Sequence, residues 1–284
     1  TWQSRYIEGA FRLVLSLKQV QSAFPVILLT NLTNGTILRA FGNLGVQVRR
    51  PPTGSVQPRV LSKACAFNEV LCRRNKRTYV KLGFFSLSEF DKIVALDTDI
   101  IVRRNLDHLF ALDTPAATVD PMQASRGVLQ GLEGGYTTQL PGGVPVFPFN
   151  SGLLLLSPGK RVHERMLQRI NELPSHDGGD QGFLASFFAA EGVPWHELPR
   201  RYNLAFMPQE DEIDTAFVWH ALHGLEHQFD FVPHAQAALC NLSVACHQAG
   251  VCRPPRCARA HRHPGRVWAR ARWRSGALYR ERRK

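Results

Sequence analysis

Lys92-Ile-Val-Ala-Leu-Asp-Thr-Asp99 is the stretch on which the fold turns. Lys92 to Leu96 is a short apolar run, the signature of a strand buried on both faces. The run stops abruptly at two acids separated by one residue, so Asp97 stands at the carboxyl end of the strand. In open α/β sheets that edge is where ligands gather. Two carboxylates placed there can offer oxygens to one hard cation, Mg²⁺ or Mn²⁺, which commonly takes phosphate oxygens as well. The same tripeptide is also common as a pair of solvated acids in a turn, so its surroundings have to decide between the two readings.

Upstream, Tyr6 to Val20 carries Ala10, Leu13, Val14 and Leu17 at helical spacing. Phe24 to Thr30 reads as a buried strand, Ile37 to Leu44 as a helix, and Val46 and Val48 as a second short strand. Leu61 to Cys72 and Lys81 to Phe90 read as helices. Downstream, Ile100 to Val102 is apolar, a short helix starts at Asn105, and residues 121–148 form a long Gly- and Pro-rich loop. Phe149 to Leu156 is strand, Gly159 to Leu173 and Gln181 to Ala190 are helices, and Trp195 to Leu198 and Phe217 to His220 are short strands. The alternation predicts an α/β fold whose sheet is mixed and mostly parallel.

The chain has 284 residues, 44% of them hydrophobic, enough for one large domain with a substantial core. Its net charge of +12 is unevenly placed: Val251 to Lys284 holds twelve Lys and Arg and one acid. The body is nearly neutral, so the pI gives no reason to expect a nucleic-acid partner. We divide the chain into a domain over 1–239 and a disordered Cys- and Arg-rich tail over 240–284. Cys240, Cys246, Cys252 and Cys257, near His247, His261 and His263, leave zinc binding, disulfides and incidental thiols all open. No run of about 18 apolar residues is present, so membrane attachment would need an anchor outside this chain. The sequons at Asn31, Asn34 and Asn241 permit a secretory location.

Three further groups give the acidic pair its context. Asn150-Ser151-Gly152 opens the strand that runs to Leu156, Asp177-Gly-Gly-Asp180-Gln181-Gly182 is a polar turn before a helix, and His220 ends an apolar stretch. Each has a bland reading as a turn, a helix cap or a structural histidine. Their order is more telling. With Tyr6-Ile-Glu-Gly-Ala10, Lys81-Leu-Gly-Phe-Phe-Ser-Leu87, Asn105-Leu-Asp-His-Leu-Phe110 and Tyr202-Asn-Leu204, the chain from Thr1 to Gly224 resembles glycosyltransferase family 8, the family of glycogenin and of plant glucuronosyltransferases acting on xylan.

That resemblance implies a GT-A fold and a retaining, Mn²⁺-dependent transfer of a hexosyl or glucuronosyl unit from a UDP-sugar to a polysaccharide, protein or small-molecule acceptor. By position, Asp97, Asp99 and His220 correspond to the metal ligands, with Mg²⁺ a possible substitute for Mn²⁺. Tyr6, Lys81, Thr98, Ser151 and Gly152, together with Asp97, correspond to donor-binding residues. Asn150, Asp177, Asp180 and Gln181 correspond to the catalytic, sugar-side residues. Polysaccharide-acting members imply a Golgi lumenal location; a cytoplasmic one is the alternative.

The sequence departs from the family pattern in three places. The initial apolar strand lies outside this chain, which we read as a fragment. After His220 the run is Ala-Leu-His223-Gly224 without the family's Lys-Pro-Trp, which leaves His223 as a competing ligand and a catalytically impaired sugar-nucleotide- or glycan-binding relative as the alternative. No other Tyr lies between Tyr202 and His220, so self-glucosylation is not expected there.

Overall fold

A computed structural model describes residues 2–52, 75–120, 139–140, 144–175, 177–205, 208–220 and 233–252. The elements in order are α1 (Trp2–Gln19), β1 (Ile27–Leu29), α2 (Gly35–Asn43), β2 (Gln47–Arg49), a 3-10 stretch (Lys76–Ser86), β3 (Ile93–Leu96), β4 (Ile100–Val102) and a second 3-10 stretch (Asp107–Ala111). There follow β5 (Ala116–Val119), the short pair β6 (Gln139–Leu140) and β7 (Val144–Pro145), β8 (Phe149–Leu156), α3 (Lys160–Arg169) and α4 (Asp180–Ala190). β9 (His196–Leu198), a third 3-10 stretch (Arg200–Tyr202), α5 (Glu210–Thr215), β10 (Val218–His220) and α6 (Pro233–Gln248) complete the order.

Strand β8 is the centre of the principal sheet, ordered β3-β8-β5-β9, and every residue of it is buried. Because successive side chains point to opposite faces, Leu153 and Leu155 enter one core with Leu13, Ile100 and Leu109. Leu154 and Leu156 enter the other with Tyr79, Phe85 and Phe183. The sheet is mixed, but β8 runs antiparallel to both β3 and β5, and only β5 and β9 are parallel within it. The expectation of mostly parallel pairing is corrected here: alternation of helix and strand says nothing about the direction in which a long connection returns the chain.

Three two-stranded sheets accompany the principal one among the described residues, the short antiparallel pair β6–β7 being one of them. β1 and β2 pair in parallel, and β10 runs antiparallel to β4. An apolar cavity of about 240 Å³ lies between β1 and β3, lined by Leu28, Leu29, Ile93, Val94, Leu96 and Leu13 among others. Helix α1 closes one side of this cavity and is fixed to β4 by Ser16. The buried Ser16 hydroxyl donates to the Leu13 carbonyl at 2.7 Å and accepts the Val102 N–H at 3.0 Å.

Several elements differ from the sequence reading. The helix expected from Lys81 to Phe90 is a 3-10 stretch ending at Ser86; beside the buried Gly83, its buried large side chains are Tyr79, Leu82 and Phe85. Their spacing of three matches the 3-10 repeat of 3.0 residues per turn. β5 lies in a stretch of small residues with no period. The boundary at residues 239/240 falls inside α6, whose Leu242 and Cys246 are buried against the cores around Trp219 and Phe41. Residues 240–252 are therefore ordered rather than part of a disordered tail. Cys246 and Cys252 form a disulfide, and Cys240 is disulfide-bonded too, which removes these three from the zinc reading. The helix expected over 61–72, most of the 121–148 loop, His223 and residues 253–284 lie outside the described residues. No helix among the described residues is long and apolar enough to cross a membrane.

Candidate metal and donor site

The acidic pair and His220 are brought together by strand register. Asp97 ends β3, the turn through Thr98 leads into β4, and β4 pairs with β10 so that His220 lies opposite Ile100, next to Asp99. His220 Nε2 stands 3.3 Å from Asp99 Oδ1. One ligand atom from each of Asp97, Asp99 and His220 falls within a group spanning 4.8 Å. Two glycines make this possible. A Cβ on Gly9 of α1 would collide with the Thr98 carbonyl, and a Cβ on Gly152 of β8 would collide with the His220 imidazole. Among the described residues this is the one group of three or more His, Cys, Asp or Glu able to hold a metal ion. Two carboxylates and an imidazole are a donor set suited to Mn²⁺.

Lys81 links this group to the sugar-side residues. Its ammonium lies 2.7 Å from Asp97 Oδ1 and 3.3 Å from Asp180 Oδ2, and it donates to the Ser151 hydroxyl at 3.0 Å. Burial works against the Lys81 charge, but Asp180 and Asp97 outweigh it and push the pKa up. Burial pushes the Asp97 carboxyl up to about 6; Lys81 opposes that shift and the adjacent Asp99 adds to it. A second cation at the site would relieve the repulsion between Asp97 and Asp99.

Gln181 is held at both ends of its amide. Its Oε1 accepts the Ser151 N–H at 2.9 Å and its Nε2 donates to Asp120 Oδ2 at 3.0 Å. Asp180 opens α4, where a carboxylate is favoured by the helix dipole, and its own N–H donates to the Thr78 hydroxyl at 3.0 Å. Asn150 Oδ1 accepts the Gly152 N–H at 3.0 Å and an amide hydrogen of Asn203 at 2.8 Å. Asn203 Oδ1 in turn lies 2.9 Å from His220 Nδ1.

The structure thus joins Lys81, Asp97, Asp99, Asn150, Ser151, Gly152, Asp180, Gln181 and His220 in one connected group, with the Thr98 carbonyl packed against α1. Asp177 has a different place: its Oδ1 accepts from the Ser175 hydroxyl and from the N–H groups of Gly179 and Gly182, which shapes the turn that presents Asp180. Tyr6 is about half exposed on α1, one turn before Gly9. Asn203, Asp120 and Thr78 were given no role by the sequence. Asn203 lay within the quoted Tyr202-Asn-Leu204 stretch, while nothing in the spacing of the other two marks them.

The model of the family described as glycosyl transferase family 8 matches residues 2–218. The chain belongs to that family. It is 31% identical over 200 residues to UDP-glucuronate:xylan alpha-glucuronosyltransferase 2 of Arabidopsis thaliana, an alignment covering 70% of this chain and 27% of that protein. Glycogenin-1 of Oryctolagus cuniculus is 28% identical over 72% of this chain and 54% of its own length. The chain thus spans about a quarter of that glucuronosyltransferase and about half of that glycogenin. Among solved structures, the WbbM bifunctional glycosyltransferase superposes with a TM-score of 0.56 at 16% identity, covering 76% of this chain and 44% of that one. The galactosyltransferase LgtC, solved with donor and acceptor sugar analogues, gives 0.51 at 17% identity, covering 89% and 94%. Both show that this family 8 chain has the GT-A glycosyltransferase fold.

Proposed function

We propose that this family 8 chain transfers a hexosyl or glucuronosyl unit from a UDP-sugar, with retention at the anomeric carbon, and that Asp97, Asp99 and His220 hold the Mn²⁺ it requires. The observation that carries this reading is the convergence of those three side chains beside the cluster of Lys81, Asn150, Asp180 and Gln181. The relatives supply the donor class: UDP-glucuronate for the xylan enzymes. When bound, the cation supplies a Lewis acid that stabilises negative charge building on the leaving diphosphate.

The chain's own groups supply the rest. Lys81 places a permanent positive charge between the metal-side Asp97 and the sugar-side Asp180. Asp180, at the start of α4 and beside Lys81, is in this reading the carboxylate that stabilises positive charge developing at the anomeric carbon as the diphosphate leaves, or that bonds to that carbon as its bond to the diphosphate breaks. Gln181 ties Ser151 to Asp120 and so fixes the strand end next to Asp180. Such a preorganised set of charges is the largest single contribution available to this kind of site. The disulfide-bonded Cys240, Cys246 and Cys252 support an oxidising compartment, in keeping with a Golgi lumenal location.

The test is Mn²⁺-dependent release of UDP from UDP-glucuronate, UDP-glucose, UDP-galactose and UDP-xylose. Asp99→Ala is expected to lower the rate at least about 100-fold with the preferred donor. Full activity of that variant would remove the metal assignment. UDP and Mn²⁺ binding without turnover in the unaltered protein would favour the non-catalytic binding relative instead.

A further inference from the structure

We propose that Asn203 is a positioning residue that selects the tautomer of His220, through a chain of hydrogen bonds whose polarity is set by the backbone of β8. The inference rests on reading Asp97, Asp99 and His220 as cation ligands, and it concerns how the imidazole is prepared for that role. The chain starts at the Gly152 N–H, a group that can only donate. Its acceptor, 3.0 Å away, must be the oxygen of the Asn150 amide. That same oxygen lies 2.8 Å from the Asn203 amide, so Asn203 must turn its NH₂ towards it. The Asn203 oxygen is thereby left facing His220 Nδ1 at 2.9 Å. An amide oxygen has no proton to give, so Nδ1 must carry the hydrogen. In the neutral ring the lone pair then belongs to Nε2, the atom 3.3 Å from Asp99 Oδ1.

Each step is an exclusion of donor against donor or lone pair against lone pair, and each takes place where water is scarce: Asn150 is 7%, Asn203 4% and His220 2% exposed. A reversed amide at either position would leave two buried groups mismatched, each at a cost of about 1–3 kcal/mol. The ring also packs directly against Gly152, where a Cβ would collide with it. The second nitrogen of a ligating histidine commonly has such a partner, and its loss weakens metal binding about 10–100-fold. Asn203 itself reaches His220 because residues 202–204 run alongside β10, with the Leu204 N–H donating to the Val218 carbonyl at 3.0 Å and the His220 N–H to the Leu204 carbonyl at 2.9 Å.

The experiment has two readouts. Long-range nitrogen-15 spectra of the metal-free protein at about pH 8, above the ordinary histidine range, report which ring nitrogen is protonated; the His220 signal is assigned by its loss in His220→Gln. A proton on Nδ1 is expected whether or not Asp99 holds another on Nε2, and a bare Nδ1 overturns the proposal. Titration calorimetry with Mn²⁺ alone should show Asn203→Leu binding about 10–100-fold more weakly than the unaltered protein. Asn203→Asp, which keeps an acceptor for Nδ1, should retain more of the affinity than the leucine variant. A folded Asn203→Leu with unchanged Mn²⁺ affinity overturns the proposal, and if that variant does not fold the spectra of the unaltered protein decide. Failure of the unaltered protein to bind Mn²⁺ sinks the cation reading and this inference together, whereas the wrong tautomer in a protein that does bind Mn²⁺ sinks this inference alone.

Discussion

At residue 152 one methyl group separates two outcomes. The position lies on a fully buried strand, and a Cβ there would occupy the space of the His220 ring. Gly152→Ala should therefore displace the imidazole from Asp99, lowering Mn²⁺ affinity at least about 10-fold, and should cost about 1–3 kcal/mol in stability as an overpacked core position. Calorimetry and a denaturant midpoint read the two effects separately; unchanged Mn²⁺ binding would mean that the ring has somewhere else to go. At this scale the sequence is informative where chemistry is local. Asp97 and Asp99 can be found because an apolar run ends on them. His220 reaches them only through the β4–β10 register, which no spacing encodes, and it was found only through the family resemblance. Asn203, which touches neither carboxylate in the contacts described, left no local signal.

Among the elements, the joint between α1 and the second 3-10 stretch shows how a charge holds two segments together. Asp107 accepts from the Ser22 hydroxyl at 2.6 Å, the Ala23 N–H at 2.9 Å and the Asn105 amide at 3.2 Å, and Asn105 also donates to the carbonyls of Val20 and Gln21. Partial burial raises the Asp107 pKa, but the Ala23, Ser22 and Asn105 hydrogen bonds outweigh it and leave it below the ordinary value. A depressed folded-state pKa contributes stability above the unfolded value near 3.9, and that contribution is lost as the pH falls through the folded one. Asp107→Asn should thus be less stable at pH 7 by about 1 kcal/mol, with the gap to the unaltered protein closing below about pH 4. Urea midpoints at pH 7 and pH 3 check this; an equal gap at both values would place the effect in shape rather than charge. The sequence located α1 and α2 by apolar residues at helical pitch, and β3, β8 and α4 by continuous apolar runs of strand or helix length. It failed on Lys81–Phe90, where a repeat of three mimics a helix, and on α6, whose Ala- and His-rich sequence shows little amphipathic contrast although Leu242 and Cys246 are core residues.

On the scale of the whole molecule, the family match and the structural likeness agree with the α/β reading, and the direction of β8 is the part that alternation could not supply. Register has one more consequence. The Asp97 N–H donates to the Gly152 carbonyl at 2.9 Å, which fixes the phase of the whole β3–β8 ladder. In an antiparallel pair only alternate residues donate across to a given neighbour, so Ile93 and Ala95 turn their N–H groups to β8. Val94 and Leu96 turn theirs towards the apolar cavity beside β1, where no strand partner lies among the described residues. Amide protons in a single four-residue strand should therefore trade with heavy water at two very different speeds, slow at Ala95 and fast at Val94 and Leu96. Uniformly slow exchange along the strand would mean that its second edge is covered.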